Sequence, residues 1–212
     1  AITYAVKGCG LDPILAYTSV TTPACSWAVI KYQALGALVI TASHNPPEWI
    51  GIKIKGPNGA SVDSPFTKAV ENRLFASGIF APKKTSLQRF CAKTDHLDEL
   101  RRVFDLEHLV KGLEKMNLKI FVDSMHGSAA GCISELFGGF SDSLVNEIRA
   151  ERDPLFGGNP PEPIEPNVQK IISRIKTSSK DGLKCFGLVF DGDGDRIAAI
   201  DEQGRYCNTQ LL

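Results

Sequence analysis

Three aspartates, Asp191, Asp193 and Asp195, alternate with Gly192 and Gly194 directly after the apolar run FGLVF. Glycine lets the backbone curl, so that alternate carboxylates can converge on one point. Two ionised carboxylates about 5 Å apart repel by roughly 3 kcal/mol at an effective dielectric near 20, so three together need a compensating cation. An all-oxygen donor set favours a hard divalent ion, Mg2+ ahead of Mn2+ or Ca2+. Arg196 follows the third aspartate and adds fixed positive charge beside the cluster. Three other readings of this stretch stay open. One is a solvated glycine-rich turn. Another is an EF-hand loop built on Asp191, Asp193, Asp195 and Glu202, opposed by Arg196 where that loop requires glycine and by apolar strand residues in place of flanking helices. The third is a haloacid-dehalogenase-type nucleophile at Asp191, opposed by Asp195 where that motif takes Thr or Val.

The second chemical stretch is LVITASHNPPEWIGIKIK, in which an apolar run ends at Ser43, His44 and Asn45 and is stiffened by Pro46 and Pro47. Strand ends are where α/β sheets bind ligands, and Ser43 would stand at such an end. A Ser-His-Asp hydrolase is disfavoured because adjacent side chains at 43 and 44 should diverge, and because the G-x-S-x-G elbow is absent. Phosphoryl chemistry fits better. A serine phosphate carries about −1.5 to −2 charge, which a three-carboxylate metal site plus Arg196 could balance. Lys53 and Lys55 alternate with Ile52 and Ile54, so both lysines leave one face of their strand, toward the loop or toward solvent.

The elements that must position these groups follow from periodicity and punctuation. AVIKYQAL (28–35) reads as helix with Thr22 and Pro23 as its start signal, ALVITAS as a short buried strand and GIKIK as an alternating one. SPFTKAVENRLFAS (64–77) reads as helix, with Ser64 as cap and Pro65 at the first helical position. LDELRRVF and DLEHLVKGLEKM form a helical pair, LKIFVDSM a strand, and SAAGCISELF a helix after Gly127. A Pro/Gly connection, DPLFGGNPPEPIEP, precedes the helix NVQKIISRIK, the strand ending in DGDGDR and the hairpin-like strand IAAIDEQGR. This repeated β-α-β punctuation predicts an α/β fold: two consecutive α/β domains with mixed, mostly parallel sheets covered by helices. The boundary is expected near Phe90–Lys93, giving domains at 1–92 and 93–205.

Composition narrows the function classes. The 212 residues carry 24 basic and 24 acidic side chains, so bulk charge supports neither nucleic acid nor an anionic membrane as partner. No apolar stretch approaches the roughly 20 residues that span a bilayer. The opening AITYAVKGCG lacks a basic-then-apolar leader, and the six cysteines are scattered singly, the pattern of reduced thiols in a cytoplasmic protein.

Taken together, TASHNP (41–46) and DGDGDR (191–196) resemble the α-D-phosphohexomutase superfamily, the phosphoglucomutase and phosphomannomutase enzymes. SVTTPACSWAV, GIKI, DSMHGSAAG and DPLFGGNPPEP resemble further family segments, so the likeness runs through essentially the whole chain. It implies that Ser43 carries an exchangeable phosphate. It implies that Asp191, Asp193, Asp195 and a phosphoserine oxygen on Ser43 hold Mg2+. Lys53 would be the general acid/base, Arg196 a phosphate contact, and His44 and Asn45 would orient the loop and bond substrate or phosphate. His126 and Gly127 are expected to shape a turn only. The implied activity is phosphoserine- and Mg-dependent interconversion of hexose 1-phosphate and hexose 6-phosphate through a 1,6-bisphosphate, glucose 1,6-bisphosphate serving as activator. The FGGNPPEP loop leans toward glucose. Ile50 stands where the family places an asparagine. The resemblance also implies an upstream strand and, from residues 206–212 onward, further domains that hold most of the sugar. A fragment that binds metal without turnover is the corresponding alternative.

Overall fold

The computed structural model describes residues 2–74, 86–138, 140 and 143–207. The first part of the chain holds helix α1 (Ile2–Gly8), strand β1 (Ile14–Ala16), α2 (Thr22–Lys31), β2 (Ala37–Thr41), β3 (Gly51–Lys55), α3 (Ser64–Glu71) and β4 (Gln88–Phe90). Helix α2 starts earlier and ends earlier than the run 28–35 suggested. The Thr21 hydroxyl, not that of Thr22, accepts the N–H of Ala24 at 3.2 Å, and Pro23 sits in the first turn. The helix stops at Tyr32, before Gln33 turns left-handed at φ 49. In α3 the cap is likewise one residue earlier than expected: Asp63, not Ser64, accepts the N–H of Phe66 at 3.0 Å. Ser64 is the first helical residue, and the expected extension over 75–77 lies outside the described residues.

β2 and β3 pair antiparallel with Val39 opposite Lys53, while β1 pairs parallel with β4. β2 is buried on one face only. Val39 points inward, whereas Leu38, Ile40 and Ile52 are exposed. The period of two therefore puts the lysines of β3, not its isoleucines, on the packed side. Lys55 is buried and its Nζ donates to Ser61 Oγ at 3.1 Å.

The second part carries α4 (Ala92–Val103), α5 (Leu106–Lys115), β5 (Leu118–Asp123), α6 (Cys132–Phe137), β6 (Val145–Ile148), α7 (Gln169–Lys180), β7 (Lys184–Phe190), β8 (Ile197–Ile200) and β9 (Tyr206–Cys207). Its sheet runs β6-β5-β7-β8-β9. β5 pairs parallel with β6 and β7, whereas β7–β8 and β8–β9 are antiparallel. Among the described residues, parallel and antiparallel pairings are thus equal in number, which corrects the expectation of mostly parallel sheets. The antiparallel share arises because β7 returns through a tight hairpin at Asp191–Arg196, which needs no crossover helix. The core beneath this sheet packs Val168, Ile171, Ile172 and Ile175 against Phe121, Cys185, Val189, Ala198 and Ile200.

α6 starts at Cys132 rather than at Ser128. Ser128 is diverted, with both its N–H and its hydroxyl donating to the Gly192 carbonyl at 2.9 and 3.2 Å. A buried ion pair holds the end of β5: Arg149 Nε donates to Asp123 Oδ1 at 2.7 Å, and its Nη2 also reaches the Asn167 carbonyl at 3.1 Å. All six cysteines are free, and no helix among the described residues is long and apolar enough to cross a membrane.

Candidate functional site

The serine loop leaves β2 at Thr41. The Thr41 hydroxyl accepts the Ser43 N–H at 2.7 Å and donates to Asp193 Oδ2 at 3.1 Å, tying the loop to the carboxylates. Ser43 adopts φ 55, a left-handed conformation that non-glycine residues seldom take. Such conformations cost on the order of 1 kcal/mol and persist where surrounding bonds enforce them. Here the turn brings Ser43 Oγ to 3.5 Å from Asp191 Oδ2 and to 3.4 Å from His44 Nδ1. The expectation that Ser43 and His44 point apart is therefore corrected: it assumed an extended backbone, and the left-handed turn removes that alternation. Asn45 stands differently from His44. Its side chain and its N–H both donate to the Ala42 carbonyl at 3.0 Å, so it braces the loop rather than joining the cluster.

The carboxylates of Asp191, Asp193 and Asp195 each present an oxygen within 4.8 Å of the others. Asp191 is fully buried. Its Oδ1 accepts the N–H groups of Asp195 and Arg196 at 3.0 and 3.1 Å, and its Oδ2 accepts Arg196 Nε at 3.1 Å. Burial raises its pKa, and the neighbouring charges of Asp193 and Asp195 add to that, so the Arg196 bonds do not bring it down to the ordinary range. Asp193 goes the other way. Burial again opposes ionisation, but hydrogen bonds from Lys53, Thr22 and Thr41 outweigh it. The Thr22 hydroxyl donates to Asp193 Oδ2 at 2.8 Å, and the Thr22 N–H donates to the Asp193 carbonyl at 2.8 Å.

Lys53 supplies the balancing cation. Its Nζ donates to Asp193 Oδ2 at 2.7 Å and to Asp195 Oδ2 at 2.6 Å. Partial burial alone would lower its pKa, yet these two bonds keep it above the usual lysine value. The side chain reaches the cluster because β3 presents its lysines inward.

Backbone contacts fix the two loops against each other. A Cβ added at Gly192 would lie 2.3 Å from the Ser43 carbonyl oxygen, so only glycine fits beneath the serine loop. A Cβ at Gly127 would lie 2.7 Å from the Gly192 carbonyl oxygen, which accounts for the glycine in the turn that supports the carboxylate loop. His126 is nearly buried, its Nδ1 2.9 Å from the Glu151 carbonyl, as a turn-shaping residue would be.

Three residues of the site were not among its sequence candidates: Thr22, Thr41 and Glu162. Glu162 Oε1 lies 3.4 Å from Arg196 Nη1 and 3.8 Å from His44 Nε2, joining the two loops from the Pro/Gly connection. The signal for Thr41 was its place in TASHNP. Thr22 and Glu162 lay in SVTTPACSWAV and DPLFGGNPPEP, segments quoted for the family likeness, but nothing local gave either a role in the site, because each acts through a partner remote in sequence.

Two buried atoms show what the arrangement can accept. Among the described residues, Asp193 Oδ1 and Arg196 Nη2 are buried side-chain atoms without a hydrogen-bond partner. Buried polar groups are ordinarily satisfied, so an orphan carboxylate oxygen beside two further carboxylates suits a hard cation. The orphan guanidinium nitrogen suits an anion.

Two family models match the chain. Residues 1–78 match the family described as phosphoglucomutase/phosphomannomutase, alpha/beta/alpha domain I, and residues 94–204 match domain II. A phosphoglucomutase/phosphomannomutase of Thermococcus kodakarensis is 31% identical over 87% of the chain and 39% of its own length. A phosphoglucosamine mutase of Methanocaldococcus jannaschii is 29% identical over 91% of the chain and 42% of its own length. The chain thus spans about two fifths of the length of these curated relatives. Among solved structures, a candidate phosphomannomutase from Thermus thermophilus superposes with a TM-score of 0.82 at 28% identity, covering 94% of the chain and 44% of that protein. The open form of parafusin, a phosphoglucomutase from Paramecium, shares the fold with a TM-score of 0.68 at 23% identity, covering 87% of the chain and 39% of that protein.

Proposed function

Because the chain belongs to the phosphoglucomutase/phosphomannomutase family, we propose that the whole protein is a phosphohexose mutase and that Ser43 is its phosphoryl carrier. The observation that carries this reading is the meeting of the two loops: Ser43 Oγ faces Asp191 Oδ2, while Lys53 spans Asp193 and Asp195. In the proposed cycle, phosphorylated Ser43 gives its phosphoryl group to the free hydroxyl of a hexose monophosphate. The resulting 1,6-bisphosphate reorients, and its other phosphoryl group returns to Ser43.

The chain's own groups divide the work. Lys53 is the general acid/base: it carries the proton exchanged between the reacting hydroxyl and Ser43 Oγ, giving one to the departing serine oxygen and taking one from the attacking hydroxyl. Arg196 offers Nη2 to the phosphate, with its Nε held on Asp191. His44 Nδ1 orients Ser43 Oγ from 3.4 Å. Asp191, Asp193 and Asp195, with a phosphate oxygen on Ser43, are the residues that would hold Mg2+, which when bound offsets charge on the group in transfer. A haloacid-dehalogenase-type attack by Asp191 is disfavoured, because its fully buried carboxylate already accepts three donors.

Glucose is the first substrate to try, on the FGGNPPEP loop. The names of the relatives add mannose and glucosamine phosphates to the panel. The test is covalent labelling of the full-length protein with labelled glucose 1,6-bisphosphate. Label is expected on the wild type and absent from Ser43→Ala; label retained by that variant would remove Ser43 from the role.

A further inference from the structure

Behind the carboxylate loop lies a cavity of about 120 Å³ that the proposed cycle does not use. Its walls join distant parts of the chain: Val20 before α2, Leu97 and Leu100 of α4, Ile133 and Leu136 of α6, and Phe190 at the end of β7. An apolar cavity of about 150 Å³ is known to stay dry and to admit a benzene-sized guest, so this volume suits a single ring. Three titratable side chains, Lys93, His96 and Cys132, also face it, and burial pushes the Cys132 thiol up so that it stays neutral. Lys93 is committed to Glu135 at 2.5 Å. The His96 ring makes no hydrogen bond among the described residues, and burial keeps it below the usual histidine pKa, so it stays neutral near pH 7. A neutral imidazole offers one donor and one acceptor.

The cavity shares its far wall with the candidate site. Thr21, Ser128 and Gly194 line it. At Gly194 a Cβ would sit 2.9 Å from Thr21 Cγ2, and the next residue, Thr22, holds Asp193 through both its N–H and its hydroxyl. Ser128 holds the Gly192 carbonyl. A guest pressing on this wall therefore bears on the segments that set the spacing of the carboxylates.

We propose that this cavity is a binding site for a small single-ring molecule bearing one hydroxyl or carbonyl group, and that its occupancy is coupled to divalent-cation affinity at Asp191, Asp193 and Asp195. The ring would be buried among the leucines and Phe190, and its polar group would meet His96. Coupling of this kind is reciprocal, so the cation must alter guest affinity by the same factor that the guest alters cation affinity. The binding half is independent of the mutase reading, whereas the coupling half rests on its metal site.

The test is a 19F NMR titration of the full chain with 4-fluorophenol and with fluorobenzene, paired with Mn2+ titrations. Saturable binding at millimolar concentration is expected, with 4-fluorophenol preferred. Ile133→Trp, which fills the cavity, should abolish it, and His96→Phe should remove the preference. Saturating 4-fluorophenol should shift Mn2+ affinity by about threefold or more in the wild type and not in Ile133→Trp. Absence of saturable binding, or its survival in a natively folded Ile133→Trp, overturns the site. Should that variant not fold, Leu100→Phe takes its place in the same comparison. Binding without any shift in Mn2+ affinity overturns the coupling. If Mn2+ does not bind at all, the metal reading fails and the coupling with it, while the fluorine titration still decides the cavity.

Discussion

The Gly192 Cα lies so close beneath the Ser43 carbonyl that a methyl group in its outward direction would stand 2.3 Å from that oxygen. Two segments separated by most of the chain are thereby pressed backbone to backbone, and the nucleophile candidate sits directly over the carboxylate loop.

Gly192→Ala should therefore act on both stability and chemistry. The added carbon also meets Pro161 Cγ at 2.9 Å, so no side-chain rotation relieves the clash. Overpacking of this kind costs typically 1–3 kcal/mol, about 3–9 °C in melting temperature for a chain of this size. Denaturant titration and phosphoserine labelling check it. A variant with unchanged stability and normal labelling would contradict the close contact.

At the proposed metal site, Lys53 and a divalent cation would compete for Asp193 and Asp195, so substituting the lysine and substituting a carboxylate should move cation affinity in opposite directions. Asp193→Asn removes a proposed ligand and should weaken Mn2+ binding by about tenfold or more. Lys53→Met removes a positive charge held at 2.7 and 2.6 Å and should tighten it by about tenfold or more while mutase turnover falls. Calorimetry on both variants decides. Weaker binding in Lys53→Met would mean that the lysine supports the site rather than competing for it.

The buried pair Asp123–Arg149 should be structurally critical. Arg149 is held by Asp123 and the Asn167 carbonyl in a left-handed backbone conformation at φ 50. Asp123→Asn leaves a buried guanidinium uncompensated, and breaking such pairs costs about 3–5 kcal/mol. Urea unfolding should show this as a lower midpoint. A loss below about 1 kcal/mol would show that water or another group satisfies the arginine.

Asp95 of α4 joins the two halves of the chain through Lys31 Nζ at 2.5 Å and the Tyr32 hydroxyl at 2.7 Å. Burial works against its ionisation, but those two partners hold its pKa below the ordinary carboxylate value. A depressed folded pKa means stability that is present above the unfolded value and lost as pH falls through the folded one. Asp95→Asn should thus cost about 0.5 kcal/mol near pH 7, a figure discounted because Lys31 is well exposed. The gap between variant and wild type should close in acid. A gap that persists or widens there would refute the assignment, and melting curves across the acid range measure it.

The sequence by itself determined the local chemistry. Strand, glycine and aspartate alternation placed three carboxylates in one loop. An apolar run broken by Ser43 marked the other loop, and the period of two in GIKIK put Lys53 and Lys55 on a common face. These features depend on residues a few positions apart, where propensity and periodicity operate. Only the tertiary structure decided which face of β3 turned inward, because the alternation is symmetric until a partner buries one side. It also decided that Ser43 turns left-handed toward His44 and that Asp63 rather than Ser64 caps α3. Thr22 and Glu162 joined the site for the same reason. A hydroxyl that reaches an aspartate 171 residues away leaves no local pattern, since hydrogen-bond geometry between remote segments is set by packing alone.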